Sequence, residues 1–197
     1  TLKNAGITHC TLSNNHIYDY GMLGLTETLS SLEAEKIIWT GVGKNELDAR
    51  KNMTIEADGK KIVVVNVCEH EYSFALPDRA GARAYDPYDT MRDIREAKKT
   101  ADYVFVIYHG GKEFCEYPSP RLRKLCRSMV YNGADLVTCQ HSHCIGCAEE
   151  YSGSYILYGQ GNFHFVAKQE DPMWNCGLVL DVEIRGDKPN IKLIPVV

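Results

Sequence analysis

The chain has 197 residues, 44% of them hydrophobic and 24% charged, with a formal net charge of −4. That size and balance suit one globular domain, residues 1–197, with a sizeable core. The net charge gives no electrostatic reason to expect nucleic acid or an anionic membrane surface, and no apolar run approaches the roughly 20 residues needed to cross a bilayer.

In chain order, residues 7–12 read as a first strand, and 21–36 as a helix with Leu25, Leu29 and Leu32 on one face. Residues 37–42 form a short apolar strand. Residues 53–57 and 60–67, separated by Asp58-Gly59, read as a hairpin, because Asp-Gly favours a turn with positive φ. Residues 79–88 read as loop, and Asp89 is positioned to cap a helix carrying Met91 and Ile94. A strand follows at 103–108. The clearest helix is 118–132: Leu122, Leu125, Cys126, Met129 and Val130 share a face, Pro120 sits near its start and Gly133 just past its end. Strands at 135–139 and 155–158 come next, and 177–184 with 190–197 form a closing hairpin through Gly186-Asp187. Alternating helices and strands argue for an α/β sheet, and the hairpins make it mixed or split it into two packed sheets. There is no internal repeat or linker. Because the chain starts at Thr1 part-way through a connection, it reads as a segment of a longer protein, with any targeting element upstream.

Five histidines, His16, His70, His109, His141 and His143, fall at the far ends of these apolar runs. In an open α/β sheet the carboxyl ends of neighbouring strands share one rim, where ligands bind. Imidazoles, an amide and carboxylates gathered there suggest a metal centre first and acid–base chemistry second.

The strongest local pattern is Cys139-Gln140-His141-Ser142-His143. Two histidines two apart in an extended segment face the same side and can hold one ion, or one ion each of a pair. The competing readings are plain hydrogen bonding in a polar loop, or a thiolate zinc site through Cys144 and Cys147. The latter ranks lower because no second CxxC exists. His109 precedes Gly110-Gly111, glycines that allow close approach, and Glu113 shares that loop as an orienting carboxylate or a solvated charge. Asn14-Asn15-His16 supplies an amide oxygen and an acid, or is simply turn chemistry; Glu69-His70-Glu71 either supplies carboxylates or faces solvent. The glycines of 159–161 make no dinucleotide fingerprint, since no helix follows. The eight cysteines, several in apolar runs, fit reduced thiols and a cytoplasmic setting better than a disulfide scaffold.

Four blocks resemble the bacterial capsule synthesis (CapA, poly-γ-glutamate biosynthesis) family. Residues 13–21 with Gly24-Leu25 and Thr28 are similar to its ANNHxxDxG…GL…T block, and 109–114 to its HWGxEY block. Gly133-Ala134-Asp135 with Gln140-His141-Ser142-His143 is similar to GADxVxGHHPH, and 158–163 to YSLGNF. The family is related to the calcineurin-like metallophosphoesterases. The resemblance therefore implies a metallophosphatase-like sandwich of two mixed β-sheets flanked by helices, lacking its N-terminal strand in this segment. It also implies a di-metal site with Asn15, His109, His141 and His143 as ligands, His16 as the acid, and Glu71 and Glu113 supporting the site or the substrate. The cofactors would be divalent Mn, Fe or Zn, to which mixed imidazole, amide and carboxylate ligands are about equally suited. Three departures stand out: the early Gly-Asp block, with its bridging aspartate, would lie upstream of Thr1; Gln140 replaces a glycine; and Gly110 replaces a tryptophan, opening space beside His109.

The resemblance implies a metal-dependent phosphoesterase-like hydrolase in capsule or poly-γ-glutamate biosynthesis. The alternatives are a non-catalytic component that binds or exports an anionic polymer with the same fold, and an amide hydrolase acting on polyglutamate. The expected partners are an anionic polymer or phosphoester and, through parts outside this segment, a membrane biosynthesis complex. Cytoplasmic and membrane-associated settings both remain open.

Overall fold

Runs of β-branched residues bounded by glycine and polar turns become strands, and the amphipathic stretches between them become helices that cover the strands. In chain order these are β1 (His9–Thr11), α1 (Gly21–Ala34), β2 (Ile38–Thr40), β3 (Val42–Gly43), α2 (Glu46–Ala49), β4 (Met53–Ala57), β5 (Lys60–Cys68) and β6 (Gly81–Ala82). They continue with α3 (Pro87–Lys98), β7 (Tyr103–His109), α4 (Pro120–Tyr131), β8 (Leu136–Gln140), β9 (Ala148–Tyr151), β10 (Ser154–Leu157), β11 (Gly177–Glu183) and β12 (Asn190–Val196). The computed structural model describes residues 1–69, 71–165 and 170–197, and of Glu71 only the backbone.

The main sheet has six strands in the order β4-β5-β7-β8-β10-β9. Its four central strands are parallel, and the outer β4 and β9 run antiparallel to their neighbours. Helices α3 and α4 are the crossovers β5→β7 and β7→β8. Both bury their apolar stripes on one face of the sheet, where Ile94, Leu125, Cys126 and Met129 meet Val65, Val104, Val106 and Val137. On the other face Ile62, Val64, Tyr103 and Met53 pack with Ile184 of the closing hairpin. The second layer consists of short ladders: parallel β1-β2, antiparallel β3-β6 and the β11-β12 hairpin. Leu25 of α1 packs with Val42 and Ala80, and Leu12, Leu29 and Trp39 close around them. Among the described residues no helix is long and apolar enough to cross a membrane.

Most expected elements form, with differences that have local causes. The 37–42 run is two strands, broken at Gly41, whose φ is +92°. The 79–88 segment holds β6 and the start of α3. That helix is capped by Asp86, not Asp89: the Asp86 carboxylate accepts from the N–H groups of Tyr88 (2.8 Å) and Asp89 (2.7 Å), with Pro87 at the first helical position. Asp89 instead pairs with Arg50 (2.6 Å) and Arg92 (3.0 Å). Strand β9 has no counterpart among the expected elements; its charged Glu149 and Glu150 suit an exposed edge.

The Asp-Gly hairpin forms as expected, with φ of +51° at Asp58 and +72° at Gly59. A Cβ added at Gly59 meets nothing within 4 Å, so only backbone strain opposes substitution. Gly59→Ala is expected to cost about 1 kcal/mol, read as a lowered urea midpoint with an unchanged slope.

Candidate metal and phosphoester site

Parallel pairing in register aligns the carboxyl ends of β5, β7 and β8, with Cys68 opposite His109 and His109 opposite Gln140. The residues just beyond, Glu69, Gly110 and His141, therefore emerge on one rim. The first loop is brought there by a polar residue inside an apolar strand. Asn66 of β5, buried in the sheet, accepts the Ser13 N–H at 2.7 Å and donates to the Ile107 carbonyl at 3.1 Å. Ser13 Oγ donates to the Arg83 carbonyl at 2.8 Å. Those bonds fasten the start of the Asn14-Asn15-His16 loop over the ends of β5 and β7.

Four of the expected donors lie in one neighbourhood. His109 Nε2 donates to Asn15 Oδ1 at 2.8 Å, and the ring centroids of His109 and His141 are 5.1 Å apart. The His141 and His143 rings are separated by 6.1 Å. Asn15 Nδ2 donates to His16 Nε2 at 3.2 Å, while His16 Nδ1 donates to Asp19 Oδ2 at 2.8 Å. Asp19 thereby sets the His16 tautomer. Its role was not read from the sequence, although a carboxylate three residues after a histidine in a turn is within reach of the ring. The side chain of His141 is only 6% exposed, and Glu113, 47% exposed, lies 3.7 Å from its Nε2, beyond hydrogen-bond length. His70 and the side chain of Glu71 lie outside the described residues.

His143 has a partner that sequence reading missed. Its Nδ1 donates to Asn162 Oδ1 at 2.9 Å, and Asn162 is itself oriented by donating to the Trp174 carbonyl at 2.8 Å. An amide oxygen accepts only, so the ring proton sits on Nδ1 and the Nε2 lone pair is left for a ligand. Asn162→Ala is expected to weaken divalent-metal affinity by about 10–100-fold, the usual effect of removing a group that orients a ligand histidine; a competition titration with a fluorescent chelator measures it.

The backbone here is held away from its easy conformations: φ is +94° at His141, +57° at His143 and +56° at Phe114. Non-glycine residues adopt this region at a cost of about 1–2 kcal/mol each. The Phe114 N–H donates to the Ser142 carbonyl at 2.8 Å, tying the two strained loops together.

One expectation is overturned. Position 110 opens no space, because a Cβ there would lie 2.7 Å from both Cβ and Oε2 of Glu69. Glycine instead lets Glu69 pack on the strand end, where Oε2 accepts the Gly111 N–H at 3.0 Å and Oε1 pairs with Arg121. Among the described residues all eight cysteines are free thiols, and no three His, Cys, Asp or Glu side chains surround one point as a formed cation site, which leaves the thiolate zinc alternative without a cluster.

The donor chemistry nonetheless fits a divalent cation in part. Three imidazoles and an amide oxygen are ligands that first-row cations accept. The 2.8 Å between Asn15 Oδ1 and His109 Nε2 is close to the separation of about 3 Å between adjacent ligands at bond lengths of about 2.0–2.2 Å. Ligation through His109 Nε2 would displace the proton now shared with Asn15. A bridging carboxylate is missing from this set.

The model of the bacterial capsule synthesis protein PGA_cap matches residues 1–167. The chain belongs to this capsule synthesis family. It is 33% identical over 167 residues to the PGA biosynthesis protein CapA of Bacillus subtilis, covering 83% of this chain and 44% of that protein. It is 29% identical over 170 residues to the capsule biosynthesis protein CapA of Bacillus anthracis, covering 83% of this chain and 41% of that one. A probable polyglutamine synthesis accessory protein of Mycobacterium tuberculosis matches at 28% identity, over 78% of this chain and 44% of its own length. This family member thus spans less than half the length of the curated relatives it matches.

Among solved structures, a 5'-nucleotidase precursor from Thermus thermophilus superposes with a TM-score of 0.61 at 13% identity, covering all of this chain and 40% of the other. A hypothetical protein from the same organism gives 0.62 at 16% identity, over 98% of this chain and 78% of the other. These likenesses establish the fold, a large mixed sheet flanked by helices, arranged as in the 5'-nucleotidase precursor.

Proposed function

We propose that this domain is a metal-dependent phosphoesterase-like hydrolase serving capsule or poly-γ-glutamate biosynthesis. The observation that carries the proposal is the pairing of Asn15 with His109 beside His141 and an Asn162-oriented His143, on the rim of a phosphoesterase-like fold. Asn15, His109, His141 and His143 would hold divalent Mn, Fe or Zn. A cation bound there would polarise phosphoryl oxygens and lower the pKa of bound water.

The chain's own residues supply the proton chemistry. His16 is 63% exposed and oriented by Asp19, so it can reach a leaving group at the mouth of the site. As it stands, its Nε2 accepts from the Asn15 amide. When Nε2 carries a proton, two donors would face each other, so the amide must release His16 before the ring can act as an acid. The same movement frees Asn15 Oδ1 from His109. A second reading, a non-catalytic component that holds or exports an anionic polymer, is supported by the names of the relatives, which speak of biosynthesis and accessory roles rather than hydrolysis. On either reading, the proposed partner is an anionic polymer or phosphoester.

Elemental analysis of the full-length protein, paired with turnover of bis(4-nitrophenyl) phosphate in added Mn²⁺, tests this. One to two bound transition-metal ions and chelator-sensitive turnover are expected. Absence of bound metal together with unchanged stability after chelation would transfer the assignment to the polymer-binding reading.

A further inference from the structure

Beside the imidazoles lies a group of aromatic rings that the chemistry above does not use. The Trp174 ring is buried, and His143 lies nearly parallel to it, with centroids 4.6 Å apart and planes 24° apart. Phe114 flanks the pair, roughly parallel to both rings and about equally far from each: 6.0 Å from Trp174 at 30° and 6.1 Å from His143 at 27°. Phe165 stands across it as a wall, edge-on to Trp174 (4.9 Å, 89°) and to His143 (5.3 Å, 78°). Yet Phe114 is 59% exposed and Phe165 45% exposed. Among the described residues the two exposed rings therefore form an open corner against the stacked His143–Trp174 pair, and its inner edge is a candidate metal ligand.

Burying apolar area does not explain this arrangement, since two of the rings keep much of their surface in water. Phe114 is also held at φ +56° by its N–H bond to Ser142, in a region that bulky side chains avoid. Strain of this kind persists where the surroundings enforce a functional geometry. Aromatic faces carry partial negative charge, so a run of carboxylates is a poor occupant of the corner. A neutral ring is a good one.

We infer that the corner formed by Phe114, Phe165 and Trp174 is a subsite for a neutral ring on a phosphoester whose phosphoryl group sits at His141 and His143. This rests on the phosphoester reading of the imidazole cluster and deepens it by naming the substrate class. The ring stacks on Phe114 against the Phe165 wall, while His143, shared by both halves, sets the distance between ring and phosphoryl group. Two kinds of ring meet the requirement: a flat aromatic one, as in a nucleoside or aryl ester, and a saturated one with C–H faces, as in a sugar.

Phosphonates test the inference without turnover, because their C–P bond is not hydrolysed. The full-length protein with added Mn²⁺ is titrated with methylphosphonate, phenylphosphonate and cyclohexylphosphonate by isothermal calorimetry. A ring-bearing phosphonate is expected to bind about tenfold more tightly than methylphosphonate. The ratio is expected to fall close to one in Phe114→Ala and in Phe165→Ala, whose thermal unfolding is checked alongside. Preference for phenyl over cyclohexyl assigns a flat ring, and equal tightness of the two assigns a C–H-faced ring. Equal affinity for all three phosphonates overturns the subsite and leaves the phosphoester reading in place, as does a preference that survives in both folded variants. If no phosphonate binds, both fall.

Discussion

His16→Ala is expected to lower phosphodiester turnover by about 10²–10⁴-fold, the range for losing a positioned general acid, while leaving bound metal unchanged. The two readouts together separate His16 from its neighbours. Among the described residues the His16 ring reaches the cluster only through the Asn15 amide and is otherwise held by Asp19, so its removal leaves the other imidazoles in place. His141→Ala or His143→Ala should abolish activity and lower metal content as well. A further distinction comes from the leaving group: an ester of an acidic phenol needs little protonation, so His16→Ala should retain more activity on it than on an alkyl ester. Full activity of both His141→Ala and His143→Ala would remove the cluster from the mechanism. Loss of metal in His16→Ala would make that ring a ligand instead of an acid.

Asp93→Ala is expected to destabilise the fold by about 3–5 kcal/mol, because it strands a buried charge. Arg83 is only 2% exposed, and its guanidinium is held by Asp93 Oδ2 at 2.7 Å and Asn52 Oδ1 at 2.6 Å. Arg50 also grips Asp93, at 2.9 Å, and Asp89, so this one carboxylate of α3 joins the helix to the β6 segment and to α2. Burial pulls the Arg83 pKa down to about 10 even though Asp93 opposes the shift. The attraction thus does not fully offset the loss of solvation. It follows that Arg83→Met combined with Asp93→Ala should be less damaging than Asp93→Ala alone, since the double variant buries no unpaired charge. Urea midpoints of the three proteins decide the matter. A double variant as unstable as the single one would show that packing, not charge, makes Asp93 indispensable.

The same network shows where sequence patterns are informative and where they stop. Helix α4 was readable almost to its ends, because one apolar stripe, a proline and a following glycine all agree. Helix α3 was readable in its body but not at its start. Asp89 reads as its cap, and only the partners Arg50 and Arg92, one of them distant in sequence, show that Asp89 is engaged elsewhere while Asp86 caps the helix. Asn66 is a polar residue within an apolar strand, and only the fold shows that it holds the Ser13 loop in place across 53 residues of sequence. Asn162 lies in a glycine-rich run, and only its contact with His143 gives it a role. Gly110 suggested empty space, and Glu69 fills it.

By itself the sequence determined the alternation of helices and strands, the Asp-Gly hairpin and the histidines at strand ends. Each of these is a local matter, governed by side-chain periodicity, turn stereochemistry and chain direction. Only the tertiary structure decided which strand ends lie side by side, which nitrogen of His143 is left for a ligand, and that three aromatic side chains from two loops make one open corner. Those features depend on contacts between residues on different strands and loops, whose geometry is set by packing the whole sheet and carries no mark in any short stretch of chain.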